Sequence, residues 1–246
     1  MRPESDLRTT SWGPKVRVAL TSDAHGNLPA LVAVLASIER YGAELVLFAG
    51  DFVGYYYDGA EVVRALRSID ALCVRGNHDD MIASCESGEQ SLSGITEKYG
   101  HGLELAIKQL NGEEKEWLAH LPIARRVTVG GREILLAHGS VRNNLEYIYP
   151  DTDQPLEQIG DSDFDIAVLG HTHYRMRREV QNCVIINPGS LGQPRDRLRG
   201  ACWSLLDTET LQSEFHVEPY DHNMVADQAR ALDPERPYLW QVLDRA

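Results

Sequence analysis

The sequence predicts an α/β protein of two packed mixed β-sheets flanked by helices, an α/β/β/α sandwich. Three observations predict it. Short apolar runs alternate with helical periodicity through the first third, strand-like runs dominate the second half, and 246 residues suffice for one large core. The whole chain, 1–246, therefore reads as a single domain, with a polar tail over 1–14, a helical lid insert over 80–121 and a C-terminal surface segment over 221–246.

The first strand is Val16-Arg17-Val18-Ala19-Leu20, which ends in a polar turn at Thr21-Ser22-Asp23-Ala24-His25-Gly26-Asn27. A helix follows, because Leu28, Leu31, Val32, Leu35 and Ile38 keep a 3.6-residue period, Asn27 is suited to cap its start and Gly42 its end. The pattern repeats with Leu45 to Ala49 as a buried strand into Gly50-Asp51, and a helix over Gly59 to Arg67. Ala71 to Arg75 then runs as a third strand into Gly76-Asn77-His78-Asp79. This β-α-β-α-β order is the mark of parallel strands with helical crossovers.

From residue 80 the character is helical, and Asn111-Gly112-Glu113-Glu114 has the form of a capping box for a helix holding Trp117 and Leu118. Residues 81–121 hold seven Glu against three Lys, so the insert is a poor cradle for a polyanion. Arg126 to Val129 and Glu133 to Ala137 form a hairpin through Gly130-Gly131. Further strands are expected at 165–169, 184–186, 201–206 and 211–217.

Composition removes several function classes. The net charge of −13 disfavours binding to extended nucleic acid, which needs positive potential. No apolar run approaches a membrane span, and Met1 to Ser11 lacks the apolar core of a secretory signal. Cys73, Cys85, Cys183 and Cys202 show no metal or disulfide spacing, and three of them sit in strand-like runs. They read as buried free thiols of a cytoplasmic protein that interacts with no membrane.

The chemistry gathers in the turns that follow strands. His25, His78, His138, His171 and His173 all stand there, with Asp23, Asp51 and Asn77 in equivalent positions. In open α/β sheets that edge binds ligands, so separate segments converge on one patch of oxygen and nitrogen donors, a metal site by inference. His171-Thr172-His173 sets two imidazoles close together, within reach of two different ions.

The ordered set Asp23-x-His25, Gly50-Asp51, Gly76-Asn77-His78-Asp79, His138-Gly139 and Gly170-His171-x-His173 resembles the calcineurin-like metallophosphoesterase superfamily in every block that supplies its metal ligands. The resemblance spans Asp23 to about Arg195. It implies two divalent ions, one held by Asp23, His25, Asp51 and His173, the other by Asp51, Asn77, His138 and His171, with Asp51 bridging. Such mixed donors suit Mn²⁺ foremost, or Fe, Zn²⁺ or Ni²⁺. The implied reaction is phosphoester hydrolysis by a metal-bridging hydroxide. His78 would act as an acid or transition-state stabiliser, cationic or at least proton-bearing, with Asp79 as the carboxylate that orients it.

Gly50-Asp51-Phe52-Val53-Gly54-Tyr55 and the 187–196 block look like the small bacterial and archaeal phosphodiesterase branch, whereas protein phosphatases carry Asp-Arg-Gly near the place of Tyr55 to Tyr57. Small phosphodiesters or nucleotides are therefore the expected substrates. The alternatives are a phosphomonoesterase or dinucleoside polyphosphate hydrolase, and a metal-binding scaffold of the same fold. Asn27, Arg75, Asn143 and Arg195 flank the motif blocks and are the candidate substrate contacts. Tyr55 to Tyr57 are either packing residues, the favoured reading, or a base-stacking platform.

Overall fold

The computed structural model describes residues 13, 15–140, 142–160 and 163–245, with the side chains of Gln154 and Pro155 left aside. The polar tail expected over 1–14 lies, apart from Gly13, outside the described residues. In chain order the first elements are β1 (Arg17–Thr21), α1 (Leu28–Tyr41), β2 (Leu45–Phe48), α2 (Gly59–Ser68), β3 (Leu72–Cys73), α3 (Asn77–Glu86), α4 (Leu92–Tyr99), α5 (Gly102–Gln109) and α6 (Gly112–His120). There follow β4 (Ala124–Val129), β5 (Arg132–Ala137), α7 (Gln154–Gly160), β6 (Ile166–Val168), β7 (Arg175–Val180), β8 (Cys183–Pro188), β9 (Ala201–Asp207), β10 (Ser213–Glu218), α8 (His222–Leu232) and α9 (Tyr238–Gln241).

The strands form two five-stranded mixed sheets, ordered β10-β9-β1-β2-β3 and β4-β5-β6-β8-β7. In the first, β1, β2 and β3 are parallel and β9 joins β1 antiparallel, with Val18 opposite Leu206. In the second, β5, β6 and β8 are parallel and the edges are antiparallel. The period-2 alternation decides what each face buries. Val18 and Leu20 of β1 meet Ile134, Leu136, Ile166 and Val168 of the other sheet in one core cluster. Ala19, Phe48 and Trp203 face outward against Leu31 and Val34 of α1 and Val63 of α2. Leu135, Ala167 and Ile185 face the other way, against Leu156 and Ile159 of α7. Each large aliphatic side chain so buried contributes about 1.5–3 kcal/mol.

Several local signals act as the sequence predicts. Asn27 Oδ1 accepts the Ala30 N–H at 3.2 Å, and α1 ends at Gly42 with φ 65°. At α6, Asn111 and Glu114 cap one another's backbone N–H at 2.9 Å. Gly130 and Gly131 take φ 59° and 74°, the left-handed pair a two-residue hairpin needs, and Val129 lies opposite Arg132.

Other elements differ from expectation. The third strand contracts to Leu72–Cys73, because the chain leaves the sheet early and enters α3 at Asn77, inside the motif itself. β7, Arg-Met-Arg-Arg-Glu-Val, is an edge strand whose outward positions are charged, so its alternation carries little apolar signal. The segment expected as C-terminal surface is α8 and α9, whose Val225, Ala226, Ala229, Leu239, Val242 and Leu243 form a core cluster with Tyr55, Tyr56 and Tyr57. Tyr56 donates its hydroxyl to the Leu239 carbonyl at 3.0 Å and Tyr57 to Asp233 at 2.9 Å. The three tyrosines are buried and pack, which excludes them as an open stacking platform.

Candidate metal centre

The strand ends of both sheets meet at one place. β1 and β2 deliver Asp23, His25 and Asp51, the start of α3 delivers Asn77 and His78, and the other sheet delivers His138 after β5 and His171 and His173 after β6. All eight side chains are buried. Their backbone is bent to bring them there: Asp23, His25, Asp51, His171 and His173 have φ of 56°, 50°, 61°, 69° and 63°. Each such non-glycine residue costs about 1–3 kcal/mol, so neighbouring structure must hold it. It does so through backbone bonds from Asp23 N–H to Gly50 O at 2.9 Å, His25 N–H to Asp51 O at 3.0 Å, and Gly170 N–H to His138 O at 2.8 Å.

Three histidines are fixed from behind. Nδ1 of His25, His138 and His173 bonds the carbonyls of Val53, Ala49 and Gln193 at 3.2, 2.7 and 2.7 Å. A carbonyl accepts only, so each Nδ1 carries the hydrogen and each Nε2 turns a lone pair inward. His25 and His173 Nε2 then lie 3.0 Å apart. Two lone pairs that close repel unless a cation sits between them. Asp23 Oδ1, 3.2 Å from His173 Nε2, and His171 Nε2 have no hydrogen-bond partner despite burial.

The separations suit metal ligation. Two donors each ~2.1 Å from one ion stand ~3.0 Å apart at a right angle and ~3.4 Å apart at the tetrahedral angle. Asp51 Oδ2 lies 3.6 Å from His25 Nε2 and 3.2 Å from His138 Nε2, and Asn77 Oδ1 lies 3.1 Å from His138 Nε2. Three groups come within ligating reach of one another: Asp23 with His25 and His173, Asp51 with His138 and His171, and His25 with Asp51 and His78. The donor set therefore fits divalent metal, and it brings together all seven residues expected as ligands. The third group adds that His78, expected outside the ligand set, has a nitrogen close to it.

Electrostatics favour cations here. Burial works against ionisation of Asp23 and Asp51, but the surrounding histidines, His173 for Asp23 and His138 for Asp51, outweigh it and hold both carboxyls below the usual range. Burial lowers His78 to about 3 and His171 and His173 to about 4, so these rings are neutral with lone pairs available. His138 resists burial because of Asp51 and rises to about 10; the carboxylate that draws a proton there draws a metal ion equally. A cationic His78 is thus disfavoured, and the ring keeps one N–H to give. It stands among aromatic rings, with centroids 4.8 Å from His25, 5.0 Å from Tyr55 and 4.8 Å from Tyr99. Gly54, φ 136°, makes the room: a Cβ there would lie 2.6 Å from His78 Nδ1.

Asp79 does not orient His78. Its carboxylate instead accepts backbone N–H groups from Asp51 and Gly76 at 2.9 and 2.8 Å, and from Phe52 and Val53 at 2.9 and 3.4 Å. It fixes the turn that presents Asp51. Burial and the nearby Asp51 charge push it up to about 8 against the pull of those donors.

The expected substrate contacts divide. Asn27 is fully buried and spends its amide on Gly192 O and the Tyr220 hydroxyl, so it is a helix cap and not a contact. Arg75 is held by the Ala119 and Leu121 carbonyls and pairs with Asp80 at 2.6 Å, which ties it to the insert. Asn143 is exposed and bonds within its own turn, accepting the Leu145 N–H. Arg195 remains: it is half-buried, its backbone bonds the His173 carbonyl, and its guanidinium rests on the Tyr55 hydroxyl at 3.1 Å.

Sequence reasoning missed two kinds of residue. Asn187, noted only as part of a family block, bonds Gly170 O at 2.7 Å and Thr172 Oγ1 at 3.2 Å, and so holds the turn that carries His171 and His173. Tyr99 and Tyr147 lie against His78 and His171, and nothing in their local spacing signals it.

Comparison with known proteins finds relatives along most of the chain. A model of the calcineurin-like phosphoesterase superfamily domain matches residues 16–211. The chain is 30% identical over 225 residues to the uncharacterized protein MJ0912 of Methanocaldococcus jannaschii, covering 84% of this chain and 89% of that one. It is 24% identical over 209 residues to phosphodiesterase YfcE of Escherichia coli, covering 80% and 90%. The crystal structure of a metallophosphoesterase from Sphaerobacter thermophilus superposes with a TM-score of 0.76 at 26% identity, covering 94% of this chain and 99% of that one.

Proposed function

The chain belongs to the calcineurin-like phosphoesterase superfamily, as a metal-dependent phosphoester hydrolase, and from that premise we propose that it cleaves small phosphodiesters or nucleotides at a centre of two divalent ions. The observation that carries the reading is the position of Asp51 Oδ2, within 3.6 Å of a donor in one ligand group and 3.2 Å of a donor in the other. Asp23, His25, Asp51 and His173 would hold one ion, and Asp51, Asn77, His138 and His171 the other, with Mn²⁺ favoured and Fe, Zn²⁺ or Ni²⁺ acceptable to the same donors. Bound there, such ions supply charge for the phosphoryl oxygens and acidify a water molecule.

The chain's own residues do the rest. Carbonyl-fixed imidazoles keep their lone pairs aimed inward without reorganisation. His78, neutral and buried, offers an N–H to a phosphoryl oxygen or to the departing alkoxide. Arg195, beside His173, supplies a cation to the substrate in an otherwise acidic protein. No helix among the described residues is long and apolar enough to cross a membrane.

The test is turnover of bis(p-nitrophenyl) phosphate and p-nitrophenyl phosphate by metal-stripped protein re-supplied with Mn²⁺, Zn²⁺, Fe²⁺ or Mg²⁺. Metal-dependent turnover with the diester preferred is expected, and His78→Ala should lower kcat by about 10²- to 10⁴-fold with metal content unchanged. Preference for the monoester would move the assignment to a phosphomonoesterase, and metal binding without turnover to a scaffold.

A further inference from the structure

The rim of the centre carries an aromatic surface for which the hydrolytic chemistry has no use. Among the described residues the exposed large hydrophobic side chains include Leu145, at 57%, Tyr147, at 50%, and Tyr149, at 38%, all within one short stretch of the loop between β5 and α7. A cluster of that kind on a polar surface marks a place where something binds. The Tyr147 ring lies on the imidazole of His171, centroids 4.0 Å apart and planes at 38°, so the cluster begins at a ligand of the centre. The Tyr149 ring runs almost parallel to Tyr147, at 11°, with centroids 5.7 Å apart. Tyr174 meets Tyr149 edge-on at 5.9 Å, and with half of Tyr147 and over a third of Tyr149 exposed, surface of both residues stays open.

Cations stand nearby. The Lys98 ammonium lies 4.7 Å over the Tyr99 ring, which itself abuts His78, and Arg195 reaches the Tyr55 hydroxyl. Burial pushes the Tyr147 phenol up, with Arg195 and Lys98 pulling the other way. Flat apolar ring surface, flanking positive charge and a phosphoester centre one ring away together describe a receptor for a planar group joined to a phosphate through a short linker.

We propose that Tyr147, with Tyr149 beside it, is the platform on which the nucleobase of the substrate stacks while its phosphate occupies the centre, so that the substrate class is a nucleoside phosphodiester and not an alkyl or sugar diester. This rests on the phosphodiesterase reading of the centre. Stacking tolerates any base, because every base has a π-face, and it raises affinity by about 5- to 150-fold per base.

The experiment measures binding apart from turnover. Dissociation constants of AMP and of ribose 5-phosphate are determined calorimetrically on Mn²⁺-loaded wild-type protein, Tyr147→Ala, Tyr147→Phe and Tyr149→Ala. AMP should bind wild type about 5- to 150-fold more tightly than ribose 5-phosphate, a preference that Tyr147→Phe keeps, Tyr147→Ala abolishes and Tyr149→Ala reduces. Equal binding of the two ligands to wild type, no binding of AMP, or a preference that survives Tyr147→Ala would overturn the proposal. Diester turnover on the same samples separates the two readings: selectivity without turnover refutes the hydrolytic assignment and supports the platform, whereas turnover without selectivity refutes the platform alone.

Discussion

Asp79→Asn should destabilise the protein by about 3–5 kcal/mol and loosen its hold on metal at the same time. The wild-type carboxylate receives four backbone N–H groups, two at each oxygen, from the buried residues Asp51, Phe52, Val53 and Gly76. An asparagine keeps one carbonyl oxygen and sets its NH₂ against the other pair of donors. Two buried N–H groups then lose their acceptor, at about 1–3 kcal/mol each, and the remaining pair loses the assistance of a full charge. Unfolding in urea followed by circular dichroism reads the loss. With a slope near 3 kcal/mol/M for a chain of this size, the midpoint should fall by about 1 M or more. At pH 9 the carboxyl, pushed up to about 8 by burial and Asp51, is ionised, which makes that the pH for the comparison. Because the Asp51 N–H is one of the four donors, the proposed bridging carboxylate shifts with the turn, and metal content measured on the purified variant should drop too. An unchanged midpoint and full metal content, together with reduced turnover, would refute this reasoning and return Asp79 to the role of an orienting partner for His78.

Two other perturbations test neighbouring parts of the argument. Gly54→Ala sets a Cβ 2.6 Å from His78 Nδ1 and 2.9 Å from His25 Nδ1 at a φ of 136°, so it should cut turnover at least tenfold by displacing both rings; wild-type kinetics in that variant would mean the rings have slack that the geometry denies. Leu239→Ala opens a cavity under the tyrosine cluster, where Leu239 is wholly buried. It should cost about 2–5 kcal/mol and lower Tm by about 5–15 °C, and a Tm within about 2 °C of wild type would show α9 to be dispensable packing.

What the sequence made legible follows physical lines. The parallel β-α-β-α-β half was readable because fully buried strands are continuous apolar runs, and the ligand blocks because each sits in a polar turn after such a run. Strand β7 was not, since an edge strand with charged outward residues carries half a signal. The work of Asp79 was hidden because its partners are backbone groups, and an N–H leaves no trace in residue identity. Asn27, rightly expected as a helix cap, and Arg75 were misplaced as substrate contacts for a related reason: adjacency to a motif in sequence does not say which way a side chain turns, and both turn to cap or brace the helices around them. The left-handed backbone of Asp23, His25, Asp51, His171 and His173 was invisible too, because only glycine announces such a conformation in sequence. Tyr147 lies in a loop without periodicity, and its contact with His171 is made across the fold.

The pairing of β1 with β9 has a consequence for biosynthesis. The Val16 N–H bonds Thr208 Oγ1 across 192 residues, and β1 has no antiparallel neighbour until β9 exists. At ribosomal speeds of about 5–20 residues per second, the first strand therefore waits roughly 10–40 s for its partner. Every ligand of the proposed centre has been translated by His173, well before Ala201 begins that partner strand. A chain cut short between those two residues would carry all the donors but lack β9 and β10, so the antiparallel side of the first sheet, and with it the frame around the proposed centre, is completed late in synthesis.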